Sequence, residues 1–230
     1  MVMKEEKPVK IAIYDMDRTI TFRGTYTPFL LHVAKAMAPW RLLLAPFVLL
    51  AMLAYVLKLV SRKQLKEINQ RLMIGGQVRR DRLAPHIESF AEKVMQGNVR
   101  AGALARIKQD RAEGYRLVMA TASYRLYVEA IARRAGFDDV IATDHLGQDM
   151  DYVRAKIAGE NCYDVAKRTM IREWMAREGI EREEAYVRAY SDHVSDAPML
   201  EFADEAYATN PHPPLAKLVQ EKGWQRFDWA

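Results

Sequence analysis

Two carboxylates, Asp15 and Asp17, follow directly on the stretch VKIAIY, whose apolar residues surround one lysine as in a buried strand. Folding gives no reason to end a core strand on two like charges. Side chains alternate faces along a strand, so this pair leaves on one side. Held that close, the two repel and shift each other's protonation unless a cation lies between them or one keeps its proton. Both conditions serve catalysis. Three other places carry related groups. Thr121 and Ser123 follow the stretch YRLVMA, Asp192 and Asp196 follow AYVRAY four residues apart, and Lys167 lies in a run with helical character. Oxygen ligands suit a hard cation such as Mg²⁺, which keeps several waters and is completed by a substrate phosphate. Hydroxyls and backbone N–H groups suit phosphate oxygens.

These groups meet only if the elements bring them together. Strands are predicted at 9–14, 115–120, 139–143, 185–190 and 205–210. Helices are predicted at 101–113, 124–135, 163–178, 197–202 and 214–222. Strands alternating with helices predict an α/β fold with a parallel sheet and helices on both faces. Ligands of such sheets bind beyond the carboxyl ends of the strands, where all of these residues but Lys167 fall. Residues 26–97 read instead as successive helices, with Ser61 and Asp81 as N-caps and Gly75-Gly76 as a stop. They form a lid inserted after the first strand. The polar stretch 144–161 reads as a hairpin. The division is therefore a core of 1–23 and 98–230 and an all-helical lid of 24–97.

Length allows one medium domain plus this insertion. Residues 24–111 hold 15 basic and 5 acidic residues, and the remainder 20 and 25, so a basic insert sits in an acidic body. Its basic residues lack interleaved aromatics and any nucleic-acid reader motif, which sets nucleic acid aside. Anionic substrates or an anionic membrane fit better. A single cysteine, Cys162, allows no internal disulfide and reads as a structural thiol. The N-terminus lacks the apolar core of a signal peptide, so a cytoplasmic location is expected. The run 42–57 has 16 uncharged residues between Arg41 and Lys58, with Pro46 inside. It is short of the roughly 20 residues that span a bilayer, and a buried lid helix is expected. It is nonetheless apolar on all sides, and residues 40–82 carry 9 basic and 2 acidic residues. Peripheral membrane contact through 40–60, or admission of an amphiphilic phosphate ester, is the second expectation.

DMDRT (15–19), TAS (121–123), Lys167 and SDHVSD (191–196) resemble, in order, the four motifs of the haloacid dehalogenase (HAD) superfamily phosphatases. The insertion resembles their type-1 cap, and the tail ATNPHPPLAKLVQEKGWQRFDW resembles the phosphoserine-phosphatase-like branch, subclass IB. The likeness covers nearly the whole chain. It implies a Rossmann-like HAD core and Mg²⁺-dependent hydrolysis of a small phosphate ester. Asp15 would be the nucleophile that forms an aspartyl-phosphate, and Asp17 the general acid and then base, its pKa lifted by crowding. Mg²⁺ would be held by Asp15, the Asp17 backbone carbonyl and Asp192, with Asp196 close by. Thr121 and Lys167 would hold the phosphate. Ser123 either joins them or caps the next helix. His193 reads as a loop residue, and His32, His86, His145 and His212 as surface or cap residues. Where phosphoserine phosphatases carry a glutamate for the substrate ammonium, this chain has Gly24, and no acid occurs between Asp17 and Glu67. Phosphoserine is therefore expected to be a poor substrate, with Arg23 and Arg71 as candidate cap contacts. A phosphotransferase of the same fold, or a membrane-associated binding protein with a vestigial site, are the alternatives.

Overall fold

The computed structural model describes residues 8–147 and 151–229. Strand β1 (Val9–Tyr14) opens the core. Then come helices α1 (Tyr26–Met37), α2 (Ala45–Val56) and α3 (Arg62–Met73), strand β2 (Gln77–Arg79) and helix α4 (Arg80–Gly97). The chain re-enters the core with α5 (Ala101–Ala112), β3 (Arg116–Tyr124), α6 (Arg125–Ala135) and β4 (Asp139–His145). Short strands β5 (Tyr152–Arg154) and β6 (Ile157–Ala158) follow. The rest is α7 (Val165–Arg177), β7 (Ala185–Ser191), α8 (Ala197–Leu200), β8 (Glu205–Thr209), α9 (Pro213–Lys222) and β9 (Gln225–Phe227). Among the described residues the main sheet has seven strands in the order β6-β4-β3-β1-β7-β8-β9. All neighbours are parallel except β6, which runs antiparallel to β4. The α/β core with a helical insertion stands as read from the pattern.

The alternation in β1 explains its central place. Ile11 and Ile13 pack with Ile171 and Trp174 of α7, while Ala12 and Tyr14 pack with Ile107 of α5 and Ile131 of α6. A strand apolar on both faces needs helices on both sides. Behind the sheet, Asp110 is fully buried at the end of α5. It accepts the Tyr14 hydroxyl at 2.6 Å, the Tyr190 hydroxyl at 2.8 Å and Arg188 Nη1 at 2.8 Å, and pairs with Arg106 at 3.1 Å. One carboxylate thus ties α5 to β1 and β7, the two strands that carry most of the acidic residues.

The inserted segment departs from expectation in several ways. It is not all-helical: β2 pairs antiparallel with β5 of the core. Three-residue strands with a distant partner leave too little periodicity to detect. Asp81 is not an N-cap. Arg79 holds that place, and Asp81 sits in the first turn of α4, paired with Arg79. Ser61 does cap α3, with a reciprocal bond between its backbone N–H and Gln64. The tip of the predicted hairpin, 148–150, lies outside the described residues. The arms are present, but they serve two different sheets.

The largest departure is the apolar run. A short 3₁₀ segment at Pro39–Leu44 leads into α2, and within α2 only Ala51 is buried. Leu43 is 79% exposed and Val56 72%. The helix is therefore not a buried cap element. Pro39–Val56 is long and apolar enough to cross a membrane by length and composition. Apolar packing of α1 and α4 on α6 holds the insertion to the core, with Phe29 and Phe90 against Tyr127, and α3 adds a polar seam. Gln70 meets His145 at 2.6 Å, and Glu67 accepts the Ile157 N–H at 3.0 Å and pairs with Lys156. Lys66 Nζ donates to the Ala122 carbonyl at 2.7 Å and to Asn161 at 2.8 Å. His145 is buried, contrary to its expected surface role. Asp110→Ala strips the central acceptor from a buried network. It should lower unfolding free energy by about 3–5 kcal/mol, read from the urea midpoint at constant slope.

Candidate active site

Strand register brings the site together. Tyr14 of β1 pairs with Met119 of β3 and with Tyr190 of β7. Asp15, Thr121 and Asp192 therefore emerge within two residues of the same level. The strand ends at Tyr14, and the Asp15 N–H still donates to the Tyr190 carbonyl at 3.0 Å. Residues Met16–Ile20 then make one wide helical turn, with Arg18 in the left-handed region at φ 68°. This turn folds Thr19 back onto Asp15. The Thr19 hydroxyl lies 3.1 Å from Asp15 Oδ2 and 3.0 Å from Asp192 Oδ1, and accepts the Asp192 N–H at 3.0 Å.

Lys167, on α7, is almost fully buried. Its Nζ lies 2.9 Å from Asp15 Oδ1 and 2.7 Å from Asp196 Oδ1. Burial opposes its charge, but the Asp15 and Asp196 carboxylates outweigh this and hold Lys167 above the ordinary lysine range. Asp196 Oδ2 accepts the Ser191 hydroxyl at 2.7 Å. Burial is also the first cause of the upward shift of Asp15, to about 8. Lys167 opposes it, and the Asp196 and Asp192 charges add to it. Asp192 is pushed up to about 6 by burial, against its Thr19 hydrogen bond, with Asp196 adding. Three buried carboxylates thus face one ammonium. The surplus negative charge and the all-oxygen donor set fit a hard divalent cation.

Among the described residues no three His, Cys, Asp or Glu side chains converge on one metal point. Both oxygens of Asp196 are engaged by Lys167 and Ser191. The Asp17 carboxylate is engaged as well: Oδ1 accepts the Thr25 N–H at 2.6 Å and its hydroxyl at 2.7 Å, and Oδ2 accepts the Ser123 hydroxyl at 2.6 Å. Asp15 and Asp192 are joined through the Thr19 hydroxyl. Ser123, expected either to bind phosphate or to cap the next helix, is not the cap residue, and its hydroxyl donates to Asp17. Its N–H donates to the Thr121 hydroxyl at 3.1 Å.

A cavity of about 510 Å³ lies over these groups, with Asp15, Thr121, Lys167 and Asp192 at its base. The cap side brings in Tyr26 and Arg62, and the turn brings in Arg18. Neither Arg23 nor Arg71 lines it. The Arg23 backbone is bonded to Asn98, and the Arg71 carbonyl accepts Arg41. Arg62 takes their place, with its guanidinium 4.0 Å over the Tyr163 ring. The signal for Arg62 was the Ser61 cap, since the residue after an N-cap lies at the helix mouth. His193 borders the cavity, its ring stacked on His212 at 4.1 Å. Cys162 is buried, and burial pushes its thiol up to about 12, as for an unreactive structural cysteine.

The model of the haloacid dehalogenase-like hydrolases matches residues 12–201. The chain belongs to this family. Among curated HAD relatives, a probable phosphatase of Mycobacterium tuberculosis is 37% identical over 114 residues, covering 48% of this chain and 37% of that protein. The chain thus spans little more than a third of that relative's length. A Bordetella pertussis protein of unknown function matches with a TM-score of 0.85 at 25% identity, over 96% of this chain and 99% of that one. A substrate-bound phosphoserine phosphatase matches with a TM-score of 0.61 at 18% identity, over 96% and 94%, a likeness of fold. In the HAD arrangement seen here, Ser123 acts on Asp17. Ser123→Ala should therefore lower kcat about tenfold to a hundredfold with KM little changed. A Ser123 bound to phosphate would raise KM instead, and steady-state kinetics separate the two.

Proposed function

We propose that this HAD protein is a Mg²⁺-dependent phosphomonoester hydrolase that works through an aspartyl-phosphate on Asp15. The observation that carries the reading is the clamp on Asp15. Lys167 holds one of its oxygens and Thr19 approaches the other, so the carboxylate is aimed into the cavity beside Thr121. Mg²⁺, held by Asp15 and Asp192, supplies the charge that lets a carboxylate approach a phosphate dianion. Asp15 attacks phosphorus, a phosphorus–oxygen bond forms, and the bond to the leaving oxygen breaks. Asp17 gives its proton to that oxygen. It then takes a proton from water as the water attacks phosphorus, which restores Asp15 and releases phosphate.

The donors around Asp17 suit both protonation states. Two of its three partners are hydroxyls, which can turn to accept a proton as readily as donate one. The Thr25 hydroxyl is also 3.0 Å from the Tyr127 hydroxyl, so the turn has a second partner. Only the Thr25 N–H must donate. A relative named a probable phosphatase supports the reaction class.

The walls bear on the substrate. The carboxylates lining the cavity are Asp15, Asp17, Asp192 and Asp196, all part of the reacting centre. Gly24 stands on the wall where an ammonium ligand would be needed, and Glu67 is committed to Lys156 and the Ile157 N–H. Arg18 and Arg62 face the cavity instead. Phosphoserine therefore lacks a partner for its ammonium. Phosphate release from a panel of phosphomonoesters tests this. Turnover should need Mg²⁺, stop with chelator, and fall at least ~10³-fold in Asp15→Asn. Phosphoserine should run below about a tenth of the best ester in kcat/KM. Chelator-resistant turnover, or an active Asp15→Asn, would contradict the mechanism.

A further inference from the structure

A second cavity, of about 420 Å³, adjoins the first. It shares Asp17, Tyr26, Arg62 and Ala122 with it, and its further walls are Met52, Tyr55, Val56 and Leu65. The two chambers therefore meet at Asp17, while Asp15 lines only the first. If Asp17 protonates the leaving oxygen, the organic part of the ester begins at Asp17 and points away from Asp15. That direction leads into the second chamber. This step rests on the phosphomonoesterase reading above.

The chamber is built for an apolar group. Its outer wall comes from the apolar helix α2 and from Leu65 of α3. Of its polar side chains, Tyr26, Ser123 and Lys66 are already engaged, and Arg62, over the Tyr163 ring, stands at the junction with the first cavity. The Tyr26 hydroxyl donates to the Lys66 carbonyl at 2.9 Å, and the Ser123 hydroxyl to Asp17. The Lys66 ammonium is held by Ala122 and Asn161, and its carbon stem lies along the wall. Against the Met52, Val56 and Leu65 walls a sugar or nucleoside would lose hydrogen bonds to water without replacing them. An alkyl chain would lose nothing and bury apolar surface. The chamber also has a way out for a longer chain. Met52 and Val56 are 49% and 72% exposed, and Leu49, Leu50 and Leu53 extend the exposed apolar surface along α2.

We infer that the second chamber is a subsite for the hydrocarbon chain of a single-chain alkyl or acyl phosphomonoester. The head lies at Asp15 and the chain passes Asp17 between Tyr26 and α2. The exposure of α2 then has a use: its inner edge lines the chain subsite and its outer face continues it.

The test is kcat/KM for ethyl, butyl, hexyl and octyl phosphate with Mg²⁺, each below its aggregation concentration. Wild type should gain about threefold per methylene through the series, slightly under the full value of a buried methylene. Met52→Asp and Val56→Asp, each on the exposed rim and checked by melting temperature, should cut that gain per methylene by at least half. Two variants keep the test open if one fails to fold. A flat wild-type series with chelator-sensitive turnover would overturn the subsite and leave the phosphatase reading standing. An unchanged gain in both folded variants would overturn it as well. No turnover of any ester would sink both readings together.

Discussion

The buried ammonium of Lys167 is the constraint on which the rest of this structure depends. Placing an ammonium where water cannot reach costs several kcal/mol unless anions stand beside it. Asp15 and Asp196 do so at 2.9 and 2.7 Å. Those two aspartates leave from different strands, β1 and β7, and the lysine comes from α7 on one face of the sheet. The ion group forms only if β1 and β7 end at one level and α7 packs against the same edge. The six-residue register between β1 and β7 and the Asp110 network behind it enforce that level. A carboxylate clamped this way cannot swing aside. Fixed orientation is what an attacking carboxylate needs.

The same cluster is suited to a bound cation. Burial first, and then the carboxylate charge that Lys167 leaves unpaired, raises the proton affinity of Asp15 and Asp192. A cation between them would restore the ionised Asp15 that can attack. Asp17 stands apart from this economy of charge. Its hydrogen bonds reach Thr25 on the cap side and Ser123 on the core side, so the acid is set at the seam between the two parts. On the proposed mechanism, an acid at this seam would protonate the leaving group that the cap admits.

Much of the core was legible in the sequence, because parallel strands buried on both faces leave strong apolar runs and their carboxyl ends can be read off directly. Asp15, Thr121 and Asp192 were found that way. Lys167 was not. A lysine on a helix carries no local signal, and the motif resemblance is what gave it a role. Ser123 was placed near the site as a phosphate ligand or a helix cap, and its bond to Asp17 was not foreseen, since a hydroxyl two residues past Thr121 can face either phosphate or Asp17. Arg23 and Arg71 were chosen by charge and proximity in sequence, whereas the cavity is reached by Arg18 and Arg62, set by a left-handed turn and a helix mouth. The pairing of β2 with β5 and the polar seam of α3 depend on residues some 75 to 95 positions apart, such as Gln70 with His145 and Lys66 with Asn161. Burial of α2 was expected from its composition, yet composition cannot say what covers a helix, and in this fold α3 is fastened by polar groups while α2 is left outside.

The central claim is that Asp15 carries the phosphoryl group. Borohydride reduces an acyl phosphate to an alcohol, so it turns a phosphorylated aspartate into homoserine. Enzyme quenched with borohydride during turnover, then digested and read by peptide mass spectrometry, should show homoserine at position 15 and unaltered aspartate at 17, 192 and 196. Homoserine at another position, or none at 15 while phosphate is being released at full rate, would contradict the account.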